Sequence, residues 1–154
     1  MRTTTSIIAA LSFAALSAAP AIAQETIKLG APLALTGPLA DAGAKSKQGY
    51  DICVSAINDK GGVDVGGKKM KLELVEYDYQ SETNRAVQIV QRLINVDKVP
   101  FLLSPYGSGD TKATAVVAER YGVPMVAAAA ATKSVFDQKF QNLFGVLFPN
   151  DMIT

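Results

Sequence analysis

The 154-residue sequence contains no histidine, no tryptophan and a single cysteine. Without histidine it lacks the commonest general base, the commonest metal ligand and the middle member of a Ser-His-Asp triad. The one thiol, Cys53, allows neither an intrachain disulfide nor a multi-thiolate metal site. An excess of one charge is also missing. Fifteen Lys+Arg stand against 14 Asp+Glu, a net charge of +1, so no basic face is expected for nucleic acid. Aromatic residues make up only 7% of the chain, whereas 49% is hydrophobic, an ordinary share for a folded domain and too much for a disordered one. These absences exclude much enzyme chemistry, and no catalytic residue, metal site or cofactor is expected.

No apolar run reaches the roughly 20 residues of a membrane-spanning helix. The longest, Ile7 to Leu16, follows a short polar start carrying Arg2 and is broken by Ser17-Ala18-Ala19-Pro20. Ala21-Ile22-Ala23 then supplies the small-x-small pattern of a signal-peptidase site. Residues 1–23 are therefore read as a signal peptide, cleaved after Ala23, and not as a buried helix. Its removal leaves equal numbers of cationic and anionic side chains. No cysteine stands at the cleavage site to take a lipid, so a soluble product with no direct membrane anchor is expected, in the periplasm.

From residue 24 the hydrophobic period alternates between two and about 3.6. Thr26 to Ala31 reads as a strand. A helix from about Ala44 follows, with Gly49, Ile52, Cys53, Ala56 and Ile57 on one stripe and Gly61-Gly62 ending it. That stripe makes Cys53 a buried, inert thiol. Met70, Leu72 and Leu74 mark a second strand. Ser81 offers a cap for a second helix with the stripe Ala86, Ile89, Val90, Leu93 and Ile94. Val99 to Leu103 reads as a strand buried on both faces. A third helix opens at Asp110 or Thr111, carries Ala113, Val116, Val117 and Tyr121, and closes at Gly122. Val123 to Ala127 and Leu143 to Phe148 complete the strands. This β-α-β-α-β-α-β order predicts an α/β domain with a doubly wound parallel sheet.

Such sheets bind ligands beyond the carboxyl ends of their strands. Three loops should meet there: Leu35 to Ala44, Ser104 to Asp110, and Ala127 to Ser134. Tyr106-Gly107-Ser108-Gly109 lies between a strand and a helix start. Its glycines permit close approach of a ligand, and the helix-terminal amides with the Ser108 hydroxyl can donate to an anion. The same residues also make an ordinary turn and cap. Tyr106 could wall a ligand or cover the sheet edge. Ala128 to Ala131 leave room at a strand end, with hydroxyls on Thr132 and Ser134. Gly66-Gly67-Lys68-Lys69 lacks P-loop spacing, Gly107-Ser108-Gly109 lacks the hydrolase elbow, and Glu76, Asp78 and Glu82 read as a solvated loop.

Taken together, Ile27-Lys28-Leu29-Gly30, Leu35-Thr36-Gly37-Pro38-Leu39-Ala40, Ala56-Ile57-Asn58-Asp59-Lys60-Gly61-Gly62-Val63, Leu72 to Asp78 and the Tyr106 loop form a specific set. It resembles the periplasmic leucine/isoleucine/valine-type binding proteins of ABC transporters, which also include amide and aromatic-acid binders. The resemblance implies the first lobe of a type I periplasmic binding protein over residues 24–148, with 149–154 beginning a crossover to a second lobe. It implies binding of a small organic solute by hinge closure, with delivery to the permease subunits of an importer. A ligand sensor of the same fold, or an enzyme with its chemistry in the other half, are the alternatives. The ligand-binding positions implied are Tyr106, Gly107, Ser108, Ala129, Ala130 and Ala131, with Thr132 beside them. Ala131 stands where family members commonly have Thr, and Ala42 where an aromatic is common. Both departures point to an acid without an α-ammonium group, or to a larger ligand.

Overall fold

The computed structural model describes residues 25–147; the leader expected at 1–23 and the crossover expected at 149–154 lie outside the described residues. Strand β1 (Thr26–Leu33) leads into helix α1 (Ala40–Asp59), then β2 (Val63–Val65) and β3 (Lys68–Asp78). Helix α2 (Thr83–Asn95), β4 (Phe101–Leu103), α3 (Ser108–Tyr121), β5 (Met125–Ala127), α4 (Lys133–Phe136) and β6 (Leu143–Gly145) follow. The sheet order is β2-β3-β1-β4-β5-β6. All neighbours are parallel except β2 and β3, an antiparallel pair that the sequence reading did not anticipate. Gly66 and Gly67, both at positive φ, make the turn between them.

Alternate residues of β3 separate the two faces of the sheet. Val75 and Tyr77 pack against the core formed with Ala86, Ile89, Val90 and Leu93 of α2 and Ala115 and Ala118 of α3. Glu76 points the other way, 2.6 Å from the Lys47 ammonium of α1. Helices thus cover both faces, as a mostly parallel sheet requires. The α2 stripe is buried at all five expected positions, because its apolar residues meet that core directly.

Helix α1 departs from expectation. It starts at Ala40, four residues early, and its packed side is rotated from the apolar stripe. The residues that meet the sheet are Gly43, Lys47, Tyr50 and Asn58. The Asn58 amide bonds both the N–H and the carbonyl of Leu72, each at 2.8 Å, filling the place of a neighbouring strand where β2 has ended. Ile52, 62% exposed, and Cys53 consequently face away from the sheet, so the thiol is exposed and not buried. Gly43 lets α1 approach this closely: a Cβ there would strike the backbone of Ala34.

Three further expectations are corrected. Strand β4 is buried on one face only, since Phe101 on the α1 side is 43% exposed and α1 lies over β1 and β3. Helix α3 begins at Ser108, and its inner face is Asp110, Thr111, Thr114, Ala115, Val117 and Ala118, leaving Val116 and Tyr121 outside. Small side chains and the Thr114 hydroxyl, which donates to the Asp110 carbonyl at 2.8 Å, suit that contact better than large apolar ones. Gly122 closes the helix in the left-handed region, as expected. Ser81 does not cap α2, whose first residue follows Glu82; it holds the loop after β1 instead.

Candidate functional site

Strand order reverses at β1: the chain moves to β3 on one side and to β4 on the other. The crevice beyond the carboxyl ends of β1 and β4 is the place where such sheets hold ligands. A cavity of about 410 Å³ lies there, lined by Asp41, Ala42, Lys45, Ser46, Tyr106 and Ala129. The three loops named from the sequence therefore meet, with each contributing to the wall.

The loop after β1 is shaped by the end of β3. Asp78 Oδ1 accepts the N–H groups of Leu35 at 2.9 Å, Thr36 at 3.3 Å and Gln80 at 2.8 Å. Its Oδ2 accepts the Thr36 hydroxyl at 2.7 Å. Burial pushes this carboxyl up, but the bonds from Thr36, Gln80 and Leu35 outweigh it and hold the group below the usual carboxylate range. Ser81 Oγ accepts the Leu39 N–H at 3.0 Å and donates to the Thr36 carbonyl at 2.8 Å. Asp78, read as part of a solvated loop, is thus the clamp that sets where α1 starts. Among the described residues no cluster of three or more His, Cys, Asp or Glu could hold a metal ion.

The loop after β4 is fixed by two tyrosines. The Tyr50 hydroxyl donates to the Ser104 carbonyl at 3.1 Å, and burial raises that phenol to about 12. The Tyr79 hydroxyl donates to the Tyr106 carbonyl at 3.4 Å; burial first, and then the nearby Asp110 carboxylate, push its phenol upward too. Both stay neutral donors at any physiological pH. Asp110 occupies the first turn of α3, where its charge favours the helix end, and accepts the Thr83 hydroxyl at 2.6 Å.

Gly107 precedes α3 with φ +91°, a conformation that favours glycine. Its N–H donates to the Ala129 carbonyl at 3.2 Å. Ser108 Oγ accepts the N–H groups of Ala131 at 3.3 Å and Thr132 at 3.2 Å. The loops after β4 and β5 are thereby stitched together. The Ser108 hydroxyl proton remains available to a ligand, as do the Ser108 and Gly109 amides, which have no acceptor within the helix.

Of the expected positions, Tyr106 and Ala129 line the cavity and Gly107 and Ser108 join the loops beside it. Ala130 is fully buried with Ala127 and Val135, so its methyl group serves the core. Ala131 is half-buried; Thr132 is exposed and precedes α4. Asp41 falls within the first expected loop, whereas Lys45 and Ser46 fall beyond it, because α1 starts at Ala40 and brings its second turn to the cavity. The signal for that start was present, since an acidic residue shortly after Thr36-Gly37-Pro38 marks a helix's first turn.

Comparison with known proteins agrees with this geometry. A family model described as periplasmic binding protein matches residues 26–152. Leu/Ile/Val-binding protein homolog 7 of Brucella abortus is 36% identical over 135 residues, 88% of this chain and 33% of that protein. The chain thus spans about a third of the length of the curated relatives it matches. The branched-chain amino acid transporter substrate-binding protein LivJ of Streptococcus pneumoniae, solved with isoleucine, superposes with a TM-score of 0.74 at 32% identity, covering 81% of this chain and 34% of that one. A solute-binding protein of an ABC transporter from R. palustris, solved with 4-hydroxybenzoate, gives 0.66 at 28%, covering 81% and 32%.

Proposed function

Because this chain belongs to the periplasmic binding protein family, we propose that it forms the N-terminal lobe of an exported protein that binds a small organic solute. The leader is removed after Ala23, and the mature protein works in the periplasm. The solute is an amino acid, an amide or an aromatic or other organic acid. A second lobe closes over it, and the loaded protein delivers it to the permease subunits of an ABC importer. No bond is made or broken.

The observation that carries this reading is the cavity at the strand-order reversal, with unpaired α3 amides beside it. Those amides and the Ser108 hydroxyl hold the solute's carboxylate. Each hydrogen bond to a charged group contributes about 1.5–3 kcal/mol, so two or three supply much of a micromolar affinity. Tyr106 gives the solute an aromatic wall, and the loop from Ala129 through Ala130 and Ala131 to Thr132 gives it main-chain partners. Ala42, small and at the cavity wall, leaves space for a ring.

A thermal-shift screen of the intact gene product against amino acids, amides and aromatic acids tests this. At least one carboxylate-bearing solute should raise the melting temperature in a saturable way. A flat response across every class, from protein shown to be folded, would remove the solute-binding reading.

A further inference from the structure

Two charged side chains line the cavity, Asp41 and Lys45, both from the first two turns of α1. Both are exposed, and neither has an ion-pair partner among the described residues. Asp41 has a local reason for its place, because a carboxylate in the first turn is favoured by the positive end of the helix. Lys45 lies in the second turn, four residues after Asp41, a spacing that suits a helical ion pair, yet the two form none. Lys47, two residues on, is paired with Glu76 at 2.6 Å and Asp51 at 3.2 Å. Lys45 instead stands at the wall of the cavity with its charge uncommitted. Asp41, Ala42 and Ser46 complete the α1 side of the wall, so an anion paired with Lys45 must sit on the side of its ammonium away from the Asp41 carboxylate.

We propose that Lys45 is a specificity-determining residue that pairs with a second acidic group on the solute. The ligand class is then a dicarboxylate or a similarly diacidic small molecule. This rests on the reading given above, in which the α3 amides and Ser108 take the first carboxylate. One anion sits at the helix end and the other at the Lys45 ammonium. Tyr106 borders the ring or short chain that joins them. A space of about 410 Å³ is in the range of small-molecule sites. An exposed ion pair alone discriminates weakly, but closing the cleft removes water and strengthens it.

Calorimetry of the intact gene product with matched pairs of acids tests the proposal: benzoate against benzene-1,4-dicarboxylate, butyrate against glutarate, and leucine against glutamate. The diacid of at least one pair should bind about 10-fold or more tightly than its partner. Lys45→Met should bring that ratio to within about 2-fold, and Lys45→Arg should retain part of it. Equal binding of both members by the wild type would overturn the proposal, as would a ratio that survives Lys45→Met. So would an equal loss for both members in Lys45→Met, which would make Lys45 a contact for lobe closure. In each of these cases, binding of a monoacid that Ser108→Ala weakens would leave the solute-binding reading standing. Failure of all six compounds to bind would overturn this proposal, and the solute-binding reading would fall with it only if the amides and remaining acids of the thermal-shift screen failed too.

Discussion

Ser108, the first residue of α3, accepts the backbone N–H of Thr132 across the gap between two loops, at 3.2 Å. Ala131 shares the same acceptor at 3.3 Å. One hydroxyl oxygen therefore ties the two loops together, and as acceptor in both bonds it leaves its own proton uncommitted. Ser108→Ala should lower affinity for a carboxylate solute about 10- to 100-fold. It should also lower the melting temperature without ligand by about 2–6 °C, because two amides lose their acceptor. Calorimetry and thermal denaturation read the two effects separately. If neither moves, Ser108 is merely the residue that starts a helix.

Asp78 should make a pH-dependent contribution to stability. Its folded-state pKa is depressed, so the stabilisation is fully present above the ordinary carboxylate range and fades as pH falls through the folded value. Asp78→Ala should cost about 1–2 kcal/mol at neutral pH, the scale of a lost helix or loop cap. Urea unfolding of wild type and variant should show that gap narrowing below about pH 4. A gap that stays constant down to pH 3 would mean that the carboxylate charge contributes nothing.

Gly43 and Gly49 lie less than two turns apart on α1 and should respond in opposite ways. A Cβ at Gly43 would strike the Ala34 carbonyl, whereas one at Gly49 meets nothing. Gly43→Ala should destabilise by about 3 kcal/mol or more and, by displacing Asp41 and Lys45, impair binding. Gly49→Ala should stabilise by about 0.5–1 kcal/mol through its better helix propensity. Chemical denaturation of the two variants decides the point, and a benign Gly43→Ala would mean that α1 can sit further from β1.

What could be read from the sequence follows from what each element packs with. Helix α2 was legible because its five apolar residues all enter the core. Helix α1 was misread in phase because a glycine, a lysine, a tyrosine and an asparagine make its contacts, while Ile52 and Cys53 remain outside. Hydropathy carries no information about a face held by Asn58 on the Leu72 main chain. Helix α3 hid its inner face for a similar reason, since Thr111 and Thr114 are fully buried and hydrogen-bonded. The three loops of the site were legible from strand-end topology, and so were Tyr106 and Ala129. Lys45 and Asp78 were not, since their roles depend on which residues a helix start and a strand end bring together.

The central claim is that a solute's carboxylate rests on the first amides of α3. A ¹⁵N–¹H correlation titration of the intact gene product, with the tightest-binding acid from the solute screen, tests this most directly. The account predicts that the Ser108 and Gly109 amide resonances shift saturably, with the dissociation constant found by calorimetry, while those of Thr83 and Asn84 at the start of α2 stay in place. Saturable binding with the Ser108 and Gly109 resonances unmoved would contradict it.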